Sequence, residues 1–150
     1  MGTSNVQFVV HGTPAPQGSK TRMPNGAMLD GKSPAARARF KDWRNDCSAA
    51  ARAIVDAGTP CFDEPLIVQA EFRFPMPKSR RATDRAAGTI CKATAPDLDK
   101  LQRALGDSLT AGGLLRDDAL IAEWRVCKVE VWQQWTGVAV VIKPWGLCRE

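Results

Sequence analysis

Five aspartates, Asp97, Asp99, Asp107, Asp117 and Asp118, fall between positions 97 and 118, with no histidine among them. Carboxylates gathered without imidazole suit a hard cation such as Mg²⁺, with Mn²⁺ as a substitute, because such ions prefer oxygen ligands. On a helix at 100° per residue, Asp99, Lys100, Arg103 and Asp107 fall opposite Leu98, Leu101, Leu105 and Leu109. Asp99, Arg103 and Asp107 then stack at i, i+4 and i+8. Asp97 falls in the first turn, where the helix dipole and unpaired amides favour negative charge. With Asp99 two residues on, the pair can flank a cation at the helix start. The Gly112-Gly113 turn can bring Asp117-Asp118 back beside it. A solvated face held by i,i+4 ion pairs, each worth ~0.3–0.5 kcal/mol, explains the same spacing, so both readings stand at this point.

The elements that must position these residues are readable from periodicity. Val6–Val10 reads as a short strand, and Gly12–Lys32 as a long basic loop carrying Lys20 and Arg22, with a hairpin around Asn25-Gly26. Ser33-Pro34 opens a helix that runs to Ala57 and ends at Gly58, with Phe40, Trp43, Cys47, Ala50 and Ile54 as its buried stripe. Leu66–Phe74 reads as a strand whose core face is Leu66, Val68, Ala70, Phe72 and Phe74. Met76–Lys92 reads as irregular. The next helix spans Pro96 to Leu109, one strand follows Asp118 and runs to Val131, and another spans Gly137 to Ile142. Together these predict one α+β domain over residues 1–150: a single mixed sheet of about four strands with two main helices on one face.

Charge sets the class of partner. Lys and Arg number 21 against 16 Asp and Glu, for a net +5, which favours polyanions without proving nucleic-acid binding. Lys78, Arg80, Arg81, Arg85 and Lys92 face one acid, Asp84, just before the aspartate-rich segment; Arg37, Arg39, Lys41, Arg44 and Arg52 form a second basic set. The five cysteines include no CxxC pair and His11 is the only histidine, which argues against a zinc site and for reduced, mostly buried thiols. No apolar run reaches the ~20 residues of a membrane span. Residues 1–10 lack a basic n-region, so the expectation is a cytoplasmic protein.

The run Pro96-Asp97-Leu98-Asp99, then Leu101, Asp107, Leu109, Gly113, Asp117-Asp118-Ala119 and Lys128, resembles the core motif of RusA-family crossover-junction endodeoxyribonucleases. That motif reads DLDNLxK, a further Asp in the helix, a Gly-containing turn, then DD before a strand. Gly12–Lys20 also looks like the glycine-proline entry of phage-borne members. The resemblance implies a RusA-like fold and Mg²⁺-dependent cleavage of Holliday junctions and other branched DNA in recombination and repair. It also implies a homodimer, because resolving a four-way junction takes two symmetric nicks, and a bacterial host cell with phage or prophage origin. The family's essential carboxylates fall on Asp97, Asp99 and Asp118, with Asp117 an adjacent candidate metal ligand.

Two positions depart from the motif: Lys100 stands for its asparagine and Arg103 for its helix lysine. Arginine keeps the charge and clamps phosphate in a bidentate fashion, but it does not readily give up a proton. Arg103, joined by Lys100, is expected to neutralise charge on the scissile phosphate. Two other readings of Lys100 stay open: a cation that lowers metal affinity, and a substitute for the missing lysine. Lys20, Arg22, Lys78, Arg80, Arg81, Arg85, Lys92 and Lys128 are expected to contact the DNA backbone. Two rival functions stay open here: a branched-DNA-binding protein that does not cut, and a metal-dependent nuclease of broader substrate range.

Overall fold

The strand β4 (Leu66–Pro75) alternates as the sequence requires, with Leu66, Val68, Ala70, Phe72 and Phe74 buried and Gln69, Glu71 and Arg73 half-buried on the other side. It is the centre of a five-stranded sheet. The computed structural model describes residues 5–18, 20–22, 24–26, 28–30 and 33–148, with the side chains of 20–22, 28–30 and 147–148 outside that description. The other sheet strands are β1 (Val6–His11), β5 (Thr89–Cys91), β6 (Ile121–Val131) and β7 (Gly137–Pro144), in the order β1-β7-β4-β6-β5. The β4–β6 pair is parallel and the rest are antiparallel. A parallel pair needs a long crossover, and this one contains the aspartate-bearing helix α3 (Leu98–Ala111). A separate hairpin, β2 (Lys20–Arg22) with β3 (Met28–Asp30), turns at Asn25-Gly26 as expected.

The helix α1 (Pro34–Asp56) starts where the sequence says it should. Ser33 is its N-cap and accepts a hydrogen bond from the Ala36 amide at 3.1 Å, with Pro34 in the first turn. Phe40, Trp43, Cys47 and Ala51 of α1 join Leu101, Ala104, Leu105 and Leu109 of α3 in one core over Val68, Ala70, Phe72, Val138, Val140 and Ile142. Both long helices thus cover one sheet face, the mixed α+β arrangement expected.

The sheet has five strands where about four were expected, the addition being the short edge strand β5. Several expectations are corrected. Met76–Lys92 is not irregular: it holds α2 (Ala82–Ala87), closed by Gly88 at φ 79°, and β5 on the edge of β6. A three-residue edge strand is too short to show a period. The strand expected after Asp118 begins at Ile121, following a 3-10 turn over Asp118–Leu120. Of the four described cysteine side chains only Cys47 is buried; Cys61, Cys91 and Cys127 are exposed. Burial pushes the Cys47 thiol up to about 12, so it stays protonated and inert. Among the described residues no helix is long and apolar enough to cross a membrane.

Helices α1 and α3 meet tightly at Gly112. A Cβ there would lie 2.6 Å from both the Ala51 Cβ and the Ser48 carbonyl oxygen, so backbone would have to move. Gly112→Ala is therefore expected to destabilise the protein by about 2 kcal/mol, within the range for overpacking, and urea denaturation reads it directly. An unchanged midpoint would mean the helices separate at no cost.

Candidate active site

The first turns of α3 separate two depressions. On one side a pocket of about 220 Å³ is lined by Asp99, Gln102, Arg103, Gly106, Asp118, Ile121 and Trp124. Two of the sequence-selected carboxylates and the sequence-selected arginine therefore converge. Asp99 and Arg103 reach it from successive turns of α3, as the helical spacing requires. Asp118 arrives because the turn before β6 is capped by Asp117, which accepts the Ala119 amide at 3.0 Å.

Charge is concentrated in this pocket. The Ala119 amide, first, and a hydrogen bond shared with Asp118 hold the Asp117 carboxyl below its usual range. Asp118 is pushed the other way: partial desolvation raises it, as do the hydrogen bond with Asp117 and the charges of Asp107 and Asp117. Carboxylates crowded like this are stabilised by a proton or a cation. No histidine or cysteine lines the pocket, so its carboxylate oxygens fit Mg²⁺ or Mn²⁺, with Asp99 and Asp118 as the groups that would hold it. Among the described residues no three such side chains form a ready-made ligand cluster. Two carboxylates are enough for Mg²⁺, which keeps several of its waters.

Asp97 is placed elsewhere. It is the N-cap of α3 rather than a first-turn residue, makes no capping hydrogen bond and is 67% exposed, with Lys100 Nζ 3.9 Å away. Asp97 and Lys100 line the second depression, a cleft of about 760 Å³ across the helix. The loop that carries Asp97 hangs from β6. Lys128 Nζ donates to the carbonyls of Thr94 at 2.7 Å and Pro96 at 2.8 Å. Lys92 Nζ donates to Thr94 Oγ1 at 3.0 Å.

The basic residues divide by what they touch. Arg80 makes a two-pronged contact with Glu130, at 2.8 and 2.6 Å, and Lys92 lies 3.6 Å from the same carboxylate, which is 1% exposed. That pairing with Arg80, first of all, holds the Glu130 carboxyl below its usual range. Arg80, Lys92 and Lys128 are therefore engaged by the protein itself. Lys78 and Arg81 are exposed, and Arg81 pairs loosely with Asp84 at 3.3 Å. Arg85 donates to the Lys78 carbonyl and lies over the Trp132 ring at 5.5 Å. The side chains of Lys20 and Arg22 lie outside the described residues.

Sequence reasoning missed Gln102, Gly106, Ile121 and Trp124 as pocket walls. Gly106 had a readable signal, since glycine inside a helix costs ~1 kcal/mol and marks close approach. Its added Cβ would lie 3.6 Å from Trp124 Cζ2 and 3.7 Å from Asp118 Cβ, in the space between helix and turn. The other three need the tertiary fold.

An α+β domain with paired carboxylates and an arginine beside one helix start, flanked by cationic loops, has the form of a nucleic-acid hydrolase. A family model described as Endodeoxyribonuclease RusA matches residues 13–143, and the chain belongs to that family of DNA-cleaving enzymes. No curated relative matches the chain.

Proposed function

We propose that this endodeoxyribonuclease resolves four-way junctions and related branched DNA by Mg²⁺-dependent paired nicking, acting as a homodimer. The observation that carries the reading is the convergence of Asp99, Asp118 and Arg103 on one pocket, in a chain of this family. Asp99 and Asp118 would hold the Mg²⁺ ion, with Asp117 and Asp107 keeping the surrounding field negative, and the ion would supply water activation and charge neutralisation at the phosphodiester. Arg103 grips the scissile phosphate and stabilises the charge that develops on it. It positions and neutralises; it does not serve as the proton donor. Asp97 and Lys100 meet the same strand from the cleft side. Lys78, Arg81 and Arg85, with Lys20 and Arg22 on the hairpin, contact backbone phosphates along the arms. Arg80, Lys92 and Lys128 act one step back, holding the loops that present these groups. The setting is the cytoplasm of a bacterial host, with the gene carried by a phage or prophage.

The test is a labelled synthetic four-way junction, incubated with and without Mg²⁺ beside a linear duplex of the same sequence. Paired nicks that need Mg²⁺ and spare the duplex support the reading. Equal cutting of both substrates makes the enzyme a nuclease of broader range. Lys100, whose cation approaches Asp97, favours one further reading: tight junction binding with no nick in Mg²⁺ or Mn²⁺ would make the protein a binder.

Lys128→Met tests the positioning of Asp97. Loss of both carbonyl contacts frees the loop before α3, and a displacement of ~1 Å near the chemistry can cost ~100-fold. Nicking is expected to fall roughly 10- to 100-fold, while junction affinity in gel-shift titrations stays as in wild type. Parallel losses of affinity and rate would instead make Lys128 a DNA contact.

A further inference from the structure

The cleft on the other side of α3 is more than three times the size of the carboxylate pocket, and phosphodiester hydrolysis alone leaves it without a role. Three elements build it. The segment Thr13–Pro16 forms one wall, one face of α1 forms the second, and the Ala95–Lys100 corner forms the third. It is preformed: Pro14 and Ala15 are buried, and the Gln17 amide donates to the Lys100 carbonyl at 3.3 Å, tying the proline-rich segment to α3. Trp43, only 2% exposed, closes the floor. At about 760 Å³ the cleft is of the size that takes a small organic ligand.

Its chemistry is mixed. Pro14, Pro16 and Pro96 offer flat, apolar ring faces. Asp42, Asp46 and Asp97 supply three carboxylates against the two cations Arg39 and Lys100. An excess of carboxylate disfavours a phosphate inside the cleft and keeps the backbone at the rim. A neutral heterocycle meets no such penalty. Its ring edges and exocyclic amines find acceptors in the aspartates, and its faces find the prolines. The cleft also shares the first turn of α3 with the carboxylate pocket, with Asp97 and Lys100 on one side and Asp99 on the other, so an occupant lies beside the strand whose phosphate that pocket would hold.

From this placement we infer that the cleft takes the base of an unpaired nucleotide next to the scissile phosphate, drawn out of the stack at the branch point. The inference rests on the reading of the protein as a junction-cutting enzyme. Extracting a base from an intact duplex costs a few kcal/mol and least where pairing is already broken, so such a cleft favours branch points over linear duplex. Selection for branched DNA over linear duplex then arises from shape and strand disorder.

The experiment uses the full chain and four-way junctions carrying 2-aminopurine at single positions around the branch. Ca²⁺ replaces Mg²⁺ so that binding proceeds without cleavage. Unstacking makes this probe bright, and Trp43, almost wholly covered, offers it little ring to stack on. Wild type is expected to brighten the probe at one position beside the nick site and nowhere in a linear duplex. Thr13→Trp, at an exposed rim position, fills the cleft; it should abolish the signal and weaken junction binding about tenfold, the loss of one base's stacking. Its melting temperature should match wild type. Asp42→Ala, which removes an acceptor and leaves the cleft open, should dim the signal partway. No bright position in wild type, or an unchanged signal in Thr13→Trp, overturns the inference. Nicking in Mg²⁺ is scored separately. A bright, Thr13-dependent signal without nicks leaves the cleft assigned and removes the resolvase reading; nicks without the signal do the reverse.

Discussion

Asp118→Asn is expected to abolish nicking, by at least about a thousandfold or ~4 kcal/mol of barrier, while junction affinity changes less than about threefold. The argument is electrostatic. Asp118 faces Asp99 and Arg103 across the small pocket, and Asp107 and Asp117 add negative charge at its back. Asparagine keeps the shape and some hydrogen bonding but removes the charge that would hold the metal. The same change relieves repulsion, so the melting temperature should be unchanged or higher. That combination, a dead enzyme with an undamaged fold, separates a catalytic loss from a folding loss. Asp99→Asn should behave alike. Asp97→Asn measures something different, because Asp97 lies on the cleft side of α3. A loss as deep as that of Asp118→Asn would mean the loop before α3 carries its carboxylate round to the metal. A shallower loss places Asp97 with the cleft. Retention of more than a tenth of wild-type nicking by Asp118→Asn would remove this carboxylate from the chemistry.

The site was partly legible because its geometry is largely helical. Residues at i and i+4 share a face, so Asp99 and Arg103 had to reach the same pocket once α3 formed. Asp118 was legible through motif spacing, and the turn that delivers it is built by Asp117. For Asp97 the sequence predicts a first-turn residue and the structure shows the N-cap; that shift matters, because an N-cap residue leaves the helix barrel, and Asp97 lines the other depression. The long helices and β4 were readable because each buries a regular stripe. The edge strand β5 and the helix α2 were not, since three and six residues give no period. Glu130 hid the role of the basic run. On β6 it stands on the core face, opposite Phe74 of β4, so its carboxylate is buried and draws in Arg80 and Lys92. Charge counting sees five cations at 78–92. It does not see that two of them serve a buried acid.

That buried acid sets the largest expected stability effect. Arg80→Met leaves Glu130, 1% exposed, with only Lys92 at 3.6 Å. A buried carboxylate that loses its main partner is strongly destabilising, because its desolvation is no longer offset. Lys92 retains part of the offset, so the melting temperature is expected to drop roughly 5–10 °C in a chain of this size. Arg80→Lys keeps the charge without the fork and should recover part of the loss. The double change Arg80→Met with Glu130→Leu should recover more, since removing both charges removes the penalty itself. The pH dependence carries a definite sign. The folded-state carboxyl of Glu130 is held below its usual value by Arg80. Its stabilisation is therefore full above the ordinary Glu value of about 4.3 and is lost as pH falls through the lower folded value. The gap between wild type and Arg80→Met should be widest near neutrality and narrow on acidification. A gap that widens as pH falls would show that Arg80 acts through something other than Glu130. The consequence reaches DNA as well. Arg80 fixes the segment that presents Lys78, Arg81 and Arg85, so Arg80→Met should weaken junction binding even at temperatures where the protein remains folded. Glu130→Leu in the same background should not restore that binding, because the apolar pair restores stability without restoring the tether.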